Sequence, residues 1–464
     1  MFVDENNMLL KLMVSLSILV GFVLTIATGR AVEPDGVVVQ FEKYAGPASI
    51  AARSIGKHKL AVDIAPATET EKLEVRIELP ITGRSTWPVA DVEVRGADGK
   101  AIVVRRSGIE WHKLSITVPA KPATYFVQAV EPPGGWPDLP SDKGRLITDP
   151  KSELSFSIAR WYDGRKAALS LRFDDSHPTH LSKAVPILRD YGFRGTFMIN
   201  PGQQEPNSRR RSNFEEQREA WEAVARRGDQ EIANHSAHHR GAASDADMEA
   251  EISEAAQAIW NLSPEKSKLT ALNLGGGTLW ETTRTLRYYL HKYHQFDAST
   301  NSTGMDDTYG NRVENFRRML EQHLKRELWI RVHYHYIGEN LSSSEANFRA
   351  ALDIVREHEE MLWVAGMADI HKYQIERSHS SLSLRESKDG QLVFRVTCRT
   401  DPSLYDQPMT IEVAPPESWP SDQIVIMDSQ GTVIAVRKAE RDGQPLLRFD
   451  VVPQSAEYSV ELTP

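Results

Sequence analysis

Cysteine is almost absent: Cys398 is the only one in 464 residues. No intrachain disulfide framework is available, so stability must come from packing. A surplus of positive charge is also missing. The formal net charge is −9, which leaves no electrostatic footprint for nucleic acid and argues against anionic polymers as substrates. The chain has no GxSxG, no HExxH and no Walker loop, so the motif-marked serine hydrolases, zincins and P-loop NTPases are not indicated. Internal repeats and low-complexity tracts are lacking too, which sets aside solenoids. What remains is ordinary for a folded protein, with 40% hydrophobic and 26% charged residues. A chain this long is expected to form two or three domains.

One long apolar run stands near the start. From Met8 the chain reads MLLKLMVSLSILVGFVLTIATGRAVEP, with Lys11 the only positive charge in its opening part. Small residues then lead into a polar, proline-containing stretch. Residues 1–31 are therefore expected to be a secretory signal peptide, or a retained anchor, since the run approaches spanning length. The acidic leader before Met8 is explained if initiation occurs at Met8. Either way the working domains are expected outside the cytoplasm: secreted, periplasmic or in the cell envelope. A membrane is a partner only if this segment is retained, and nucleic acid is not an expected partner.

The remainder reads as three domains. Residues 33–160 alternate apolar and polar positions in GVVVQFEKY, HKLAVDIA, EKLEVRIEL and KLSITV, and the turn ADGK signals a hairpin. This predicts an N-terminal β-sandwich, left through the loop EPPGGWPDLPSDKG. Over 161–378, short apolar runs alternate with amphipathic stretches. The strands are AALSLRF, GTFMI, EIANH, LTALNL, QFDAS, LWIRVHYHYI and MLWVAGM. Asn213 and Ser244 are candidate helix caps, and Gly192 and Gly228 candidate stops. Repeated βα units imply a parallel sheet, here a small or incomplete (β/α) barrel, seven-stranded, with its chemistry at the C-terminal strand ends. Residues 379–464 return to strands joined by DG and QG turns, a C-terminal β-sandwich.

The chemistry gathers in the middle domain. Asp174 and Asp175 end an apolar strand in RFDD, and HSAHH follows at His235 to His239. Two carboxylates and two imidazoles at strand ends can hold a divalent metal with an open position, and leave one carboxylate as a base. His235 and His239 stand i, i+4, which in a helical turn places both on one face. Arg331, His333 and His335 alternate along one face of a strand. His177 and His180 are expected at the rim, His238 exposed beside the ligands, and Trp280 is a candidate for stacking on sugar.

These residues carry a resemblance. ALSLRFDDSHPTHLSKAVPILRDYGFRGTFMIN, followed by EIANHSAHHRG, resembles the NodB-homology polysaccharide deacetylases, whose first motif ends in Phe-Asp-Asp and whose second is His-Ser/Thr-x-x-His. LWIRVHYHYIG and MLWVAGMADIHKYQIER are similar to the family's late strand and closing helix. The resemblance covers residues 165 to 378 and implies roles by position. Asp175, His235 and His239 would ligate one divalent metal: zinc first, with cobalt, nickel or manganese as alternatives. Asp174 would be the general base and His335 the general acid. The implied partner is an acetylated poly- or oligosaccharide, and the implied reaction is hydrolytic removal of N- or O-acetyl groups. The chain departs from the family where its Arg-x-Pro-x-Gly motif would stand, since the strand here reads LTALNLGGGTLW. Gly275 to Gly277, Gly276 at their centre, are the candidates for an oxyanion-binding backbone. Arg331 is the candidate for the missing arginine, and Asp297 for the carboxylate behind the catalytic histidine. The other class of function these gaps allow is a non-catalytic carbohydrate-binding or envelope protein on a degenerate barrel.

Overall fold

The computed structural model describes residues 30–32, 36–43, 48–67, 72–81, 86–108, 111–131, 144–202 and 214–463. The signal-segment expectation at residues 1–29, most of the Pro- and Gly-rich loop (132–143) and the candidate cap Asn213 lie outside them. No helix among the described residues is long and apolar enough to cross a membrane. The chain divides into two compact units that interleave along the sequence. One takes Met1–Trp136, Arg240–Ala250 and Gly276–Tyr289; the other takes Pro137–His239, Glu251–Gly275 and Leu290–Pro464.

The first unit is built of antiparallel strands. One sheet runs Arg30–Val32, Val38–Lys43, Leu73–Glu78, Lys113–Val118, Val104–Ser107, Leu279–Thr282; the other runs Ala48–Gly56, Lys59–Pro66, Ala123–Ala129, Val92–Gly96. Leu73–Glu78 alternates buried and half-buried positions, because only one face meets the core. Val75, Ile77, Leu114 and Ile116 from the first sheet share that core with Leu60, Val62, Val94 and Val127 from the second. Leu279–Thr282 falls inside the span expected to form the barrel, yet it pairs antiparallel with Val104–Ser107.

The second unit centres on a parallel sheet. Its strands are β1 (Ala167–Phe173), β2 (Gly195–Ile199), β3 (Glu231–Asn234), β4 (Thr270–Leu272), β5 (Gln295–Asp297), β6 (Thr303–Gly304), β7 (Trp329–Tyr334) and β8 (Leu362–Val364). Their order is β5-β4-β3-β2-β1-β7-β6, with β8 also on β1. Every residue of β1 is buried, as expected for a strand covered on both faces. Where the sequence implies a small or incomplete barrel of about seven strands, the described residues form eight parallel strands in one open sheet. β5 and β6 stand at its two ends with no ladder between them. They hold three and two residues, too few to close a seam.

Helix ends follow local chemistry. Val185–Tyr191 stops at Gly192 (φ 73) and Arg218–Arg227 at Gly228 (φ 72), both left-handed. Asp245–Leu262 starts after Ser244, whose Oγ accepts the Asp247 N–H at 3.1 Å. Two antiparallel sheets complete this unit. One contains Leu146–Thr148, Ser155–Ile158, Met409–Ala414, Gln444–Val451 and Arg437–Arg441; the other contains Ser380–Lys388, Gln391–Cys398, Ala456–Leu462 and Ile424–Asp428. Phe156, Ile411 and Phe449 of the first pack in one core with Phe394, Val396 and Val460 of the second. Ser155–Ile158, which the sequence groups with the N-terminal strands, is laddered here against Met409–Ala414.

Candidate metal centre

The chain turns sharply as it leaves β1 and β3. Asp175 (φ 82), Ser176 (φ 50), Ser236 (φ 62) and His239 (φ 53) all adopt left-handed backbone. Non-glycine residues keep that conformation only where their surroundings hold them. Residues 235–239 form an irregular loop, not the helical turn the i, i+4 spacing suggested. Asn200 Nδ2 fixes this loop by donating to the carbonyls of His235 (2.6 Å) and Ser236 (2.9 Å).

These turns bring three donors together. One ligand atom each from Asp175, His235 and His239 lies within 4.8 Å of the others. Asp175 Oδ1 is 3.2 Å from His235 Nε2 and 3.6 Å from His239 Nε2. The Nδ1–H of His235 donates to the Asn273 carbonyl at 2.8 Å, which turns Nε2 inward and fixes the ring, as second-shell partners do. Burial works against the charge of Asp175, but the His235 hydrogen bond and the neighbouring imidazoles hold its carboxyl well below the usual range.

Asp174 is buried beside this set with its two oxygens treated differently. Oδ2 accepts from Arg172 Nη2 at 2.9 Å and from Asn273 Nδ2 at 3.2 Å. Oδ1 is buried without a hydrogen-bond partner among the described residues. Burial pushes the Asp174 carboxyl up, yet the Arg172 guanidinium and the imidazoles of His235, His333 and His335 together outweigh it and hold the group below the ordinary range. Arg172 is itself fixed, since its Nη1 donates to the Ala298 carbonyl at 2.6 Å.

His335 follows the end of β7. Its Nδ1 lies 2.5 Å from Asp306 Oδ2, and its backbone N–H donates to Asp306 Oδ1 at 3.0 Å. Burial disfavours its charge, but the Asp306 bond and the charges of Asp174 and Asp306 push the imidazole up to about 9. The arrangement thus sets a partnerless carboxylate oxygen and a protonated imidazole beside three converging metal-type donors.

The family model described as Polysaccharide deacetylase matches residues 162–293. This part of the chain is thus similar to polysaccharide deacetylases. Among curated proteins, a gellan lyase from a Bacillus species is 21% identical over 377 residues; the match takes in 72% of this chain and 14% of the relative's length. Among solved structures, a putative polysaccharide deacetylase from Mycobacterium smegmatis has a TM-score of 0.33 at 14% identity, with 52% of this chain and 99% of that one covered. A family 4 carbohydrate esterase from Bacillus anthracis has a TM-score of 0.30 at 13% identity, covering 45% and 84%. A pseudoenzyme of that family, also from Bacillus anthracis, has a TM-score of 0.32 at 11% identity, covering 49% and 88%.

Several residues in and around the candidate site differ from expectation. The guanidinium on Asp174 comes from Arg172, not Arg331, whose side chain lies over the Trp329 ring at 3.8 Å. The carboxylate behind His335 is Asp306, not Asp297. His333 accompanies His335 at a ring distance of 5.7 Å and bonds Ser302 Oγ at 2.9 Å; burial holds its imidazole down to about 4. His180 is fully buried, not at the rim, while His177 is half-buried and its ring lies tilted against Tyr336 with centroids 4.3 Å apart. His238 is tied to buried Glu251, with Nδ1 2.7 Å from Oε1, and stays outside the ligand group. Trp280 is core. Of the glycines, Gly275 approaches the site: a Cβ there would sit 2.2 Å from His239 Nε2. Its N–H already donates to Asn273 Oδ1 at 3.1 Å, and Gly276 belongs to the other unit. Sequence reasoning missed the roles of Arg172 and Asn273, although both stand inside the segments it singled out. Asp306, in an irregular segment after β6, carried no signal.

A divalent cation suits this donor set. Two imidazoles and a carboxylate converge, one imidazole is oriented by a backbone carbonyl, and a buried carboxylate oxygen beside them awaits a donor.

Proposed function

We propose that this protein is a metal-dependent hydrolase that removes acetyl groups from N- or O-acetylated carbohydrate, acting outside the cytoplasm. The observation that carries this reading is Asp174 Oδ1, buried and unpartnered beside the Asp175, His235 and His239 donors. The ion, zinc in this reading, would be held by those three residues. When bound, it would lower the pKa of water and polarise the acyl carbonyl. Asp174 Oδ1 takes the proton from the attacking water, because Oδ2 is committed to Arg172 and Asn273. His335, charged through Asp306, returns a proton to the departing amine or alkoxide, so the products are acetate and a free amino or hydroxyl group. We read the open parallel sheet as an incomplete NodB-type barrel, with the antiparallel sheet pairs as flanking β-sandwich domains.

Acetate release from a panel of N- and O-acetylated glycans tests the reading. Activity is expected with metal, is expected to vanish with a chelator, and is expected to return on reloading. Wild-type protein that binds metal yet frees no acetate from any glycan would instead support the carbohydrate-binding alternative.

A further inference from the structure

Asp175 also presents its two oxygens to different partners. Oδ1 faces both imidazoles, while Oδ2 accepts the Tyr336 hydroxyl at 2.9 Å. Tyr336 directly follows His335, so the residue holding the ligand is next to the proposed acid. The segments bearing these groups are joined at two more points. Ile337 N–H donates to Thr179 Oγ1 at 3.2 Å, and His180 Nε2–H donates to the His335 carbonyl at 2.5 Å. His180 is buried, and burial holds its imidazole down to about 4, so it stays neutral and donates from one nitrogen. The Tyr336 ring rests on His177, whose Nδ1 bonds Thr179 Oγ1 at 2.8 Å.

We propose that Tyr336 is a positioning residue that occupies one oxygen of Asp175 and leaves the other as the single oxygen offered to a metal. This rests on the metal-hydrolase reading above. A carboxylate free at both oxygens can chelate an ion through both, which fills a position that water or substrate needs. A hydroxyl held on Oδ2 disfavours that mode and fixes the carboxylate plane against His235 and His239. Hydrogen-bonding partners behind metal ligands affect metal affinity or activity by about 10–100-fold.

Tyr336→Phe removes the hydroxyl and keeps the ring on His177. Titration of the chelated protein with Co²⁺ should show affinity weakened by about 10–100-fold and a change in visible absorption intensity, the signature of altered coordination number. Melting of the metal-free variant should match wild type, which separates this effect from misfolding. Thr179→Ala serves as the second variant, cutting the hydroxyl's bonds to Ile337 and His177 but none to Asp175; its Co²⁺ affinity and spectrum should stay at wild-type values. Unchanged Co²⁺ binding in Tyr336→Phe would overturn the proposal, as would an equal loss in Thr179→Ala, which marks general loop stitching. Wild-type protein that takes up no Co²⁺ would overturn the metal reading itself. Loss of binding in Tyr336→Phe alone, with acetate never released by wild type, would leave the positioning role standing and remove the deacetylase assignment.

Discussion

At Asp174 the sequence neighbour two positions back decides the chemistry. On a strand, residues two apart share a face, so Arg172 reaches Asp174 Oδ2 at 2.9 Å with both side chains buried. Removing one member of such a pair leaves an uncompensated charge, which costs about 3–5 kcal/mol, whereas removing both is far milder. Arg172→Met is therefore expected to destabilise the fold by roughly that amount in urea unfolding, with much of it recovered when Asp174→Asn is added. Additive losses would mean the two do not act as a pair. Asp174→Asn alone should keep the metal, since the ligands are untouched, and lose turnover; Asp175→Asn should weaken metal binding itself. The sequence displayed RFDD in full, but its arginine carried no role there, because the family's arginine stands elsewhere. Only the shared strand face, seen with both side chains turned inward, reassigns it.

At the scale of elements, His335, the proposed acid, depends on Asp306 from a different segment of the fold. Asp306 lies between β6 and the helix Arg312–Arg326, is fixed by Ser343 Oγ at 3.1 Å, and meets His335 beyond the end of β7. Its hydrogen bond and charge, with the charges of Asp174 and Asp175, raise the His335 pKa from 6.5 to about 9 against the opposing effect of burial. An imidazole whose folded pKa exceeds its unfolded value stabilises the fold fully below 6.5 and loses that contribution as pH rises through about 9. In chelated protein, wild type should lose melting temperature across that window, and Asp306→Asn should lose less. Equal slopes would detach Asp306 from the effect. Elements with strong local signals were legible from sequence: β1 as a largely apolar run, helix stops at Gly192 and Gly228, and the Ser244 cap. Asp306 was not, because an irregular segment has no period and its partner is set only by tertiary packing. The i, i+4 spacing of His235 and His239 misled for a related reason. Left-handed backbone at Ser236 and His239 brings both rings inward without a helix.

For the molecule as a whole, local patterning named strands but not their distant partners. Leu279–Thr282 and Ser155–Ile158 were not among those named, and both pair with strands far along the chain, so the sequence drew contiguous domains where the fold interleaves. The candidate metal donors, by contrast, all fall in one unit. They converge only when β1 and β3 are paired through β2 and the turns after them are closed, so an ion held by all three binds the folded chain far better than the unfolded one. Free metal at 100 times its dissociation constant should then stabilise the protein by about 2.7 kcal/mol. Urea midpoints with excess Zn²⁺ and with chelator measure this increment. His239→Ala should erase it, because one of three ligands is gone. His238→Ala should retain it, because that imidazole is engaged with Glu251. A metal increment that survives His239→Ala would place the ion elsewhere on the chain, and one lost in His238→Ala would move that histidine into the ligand set.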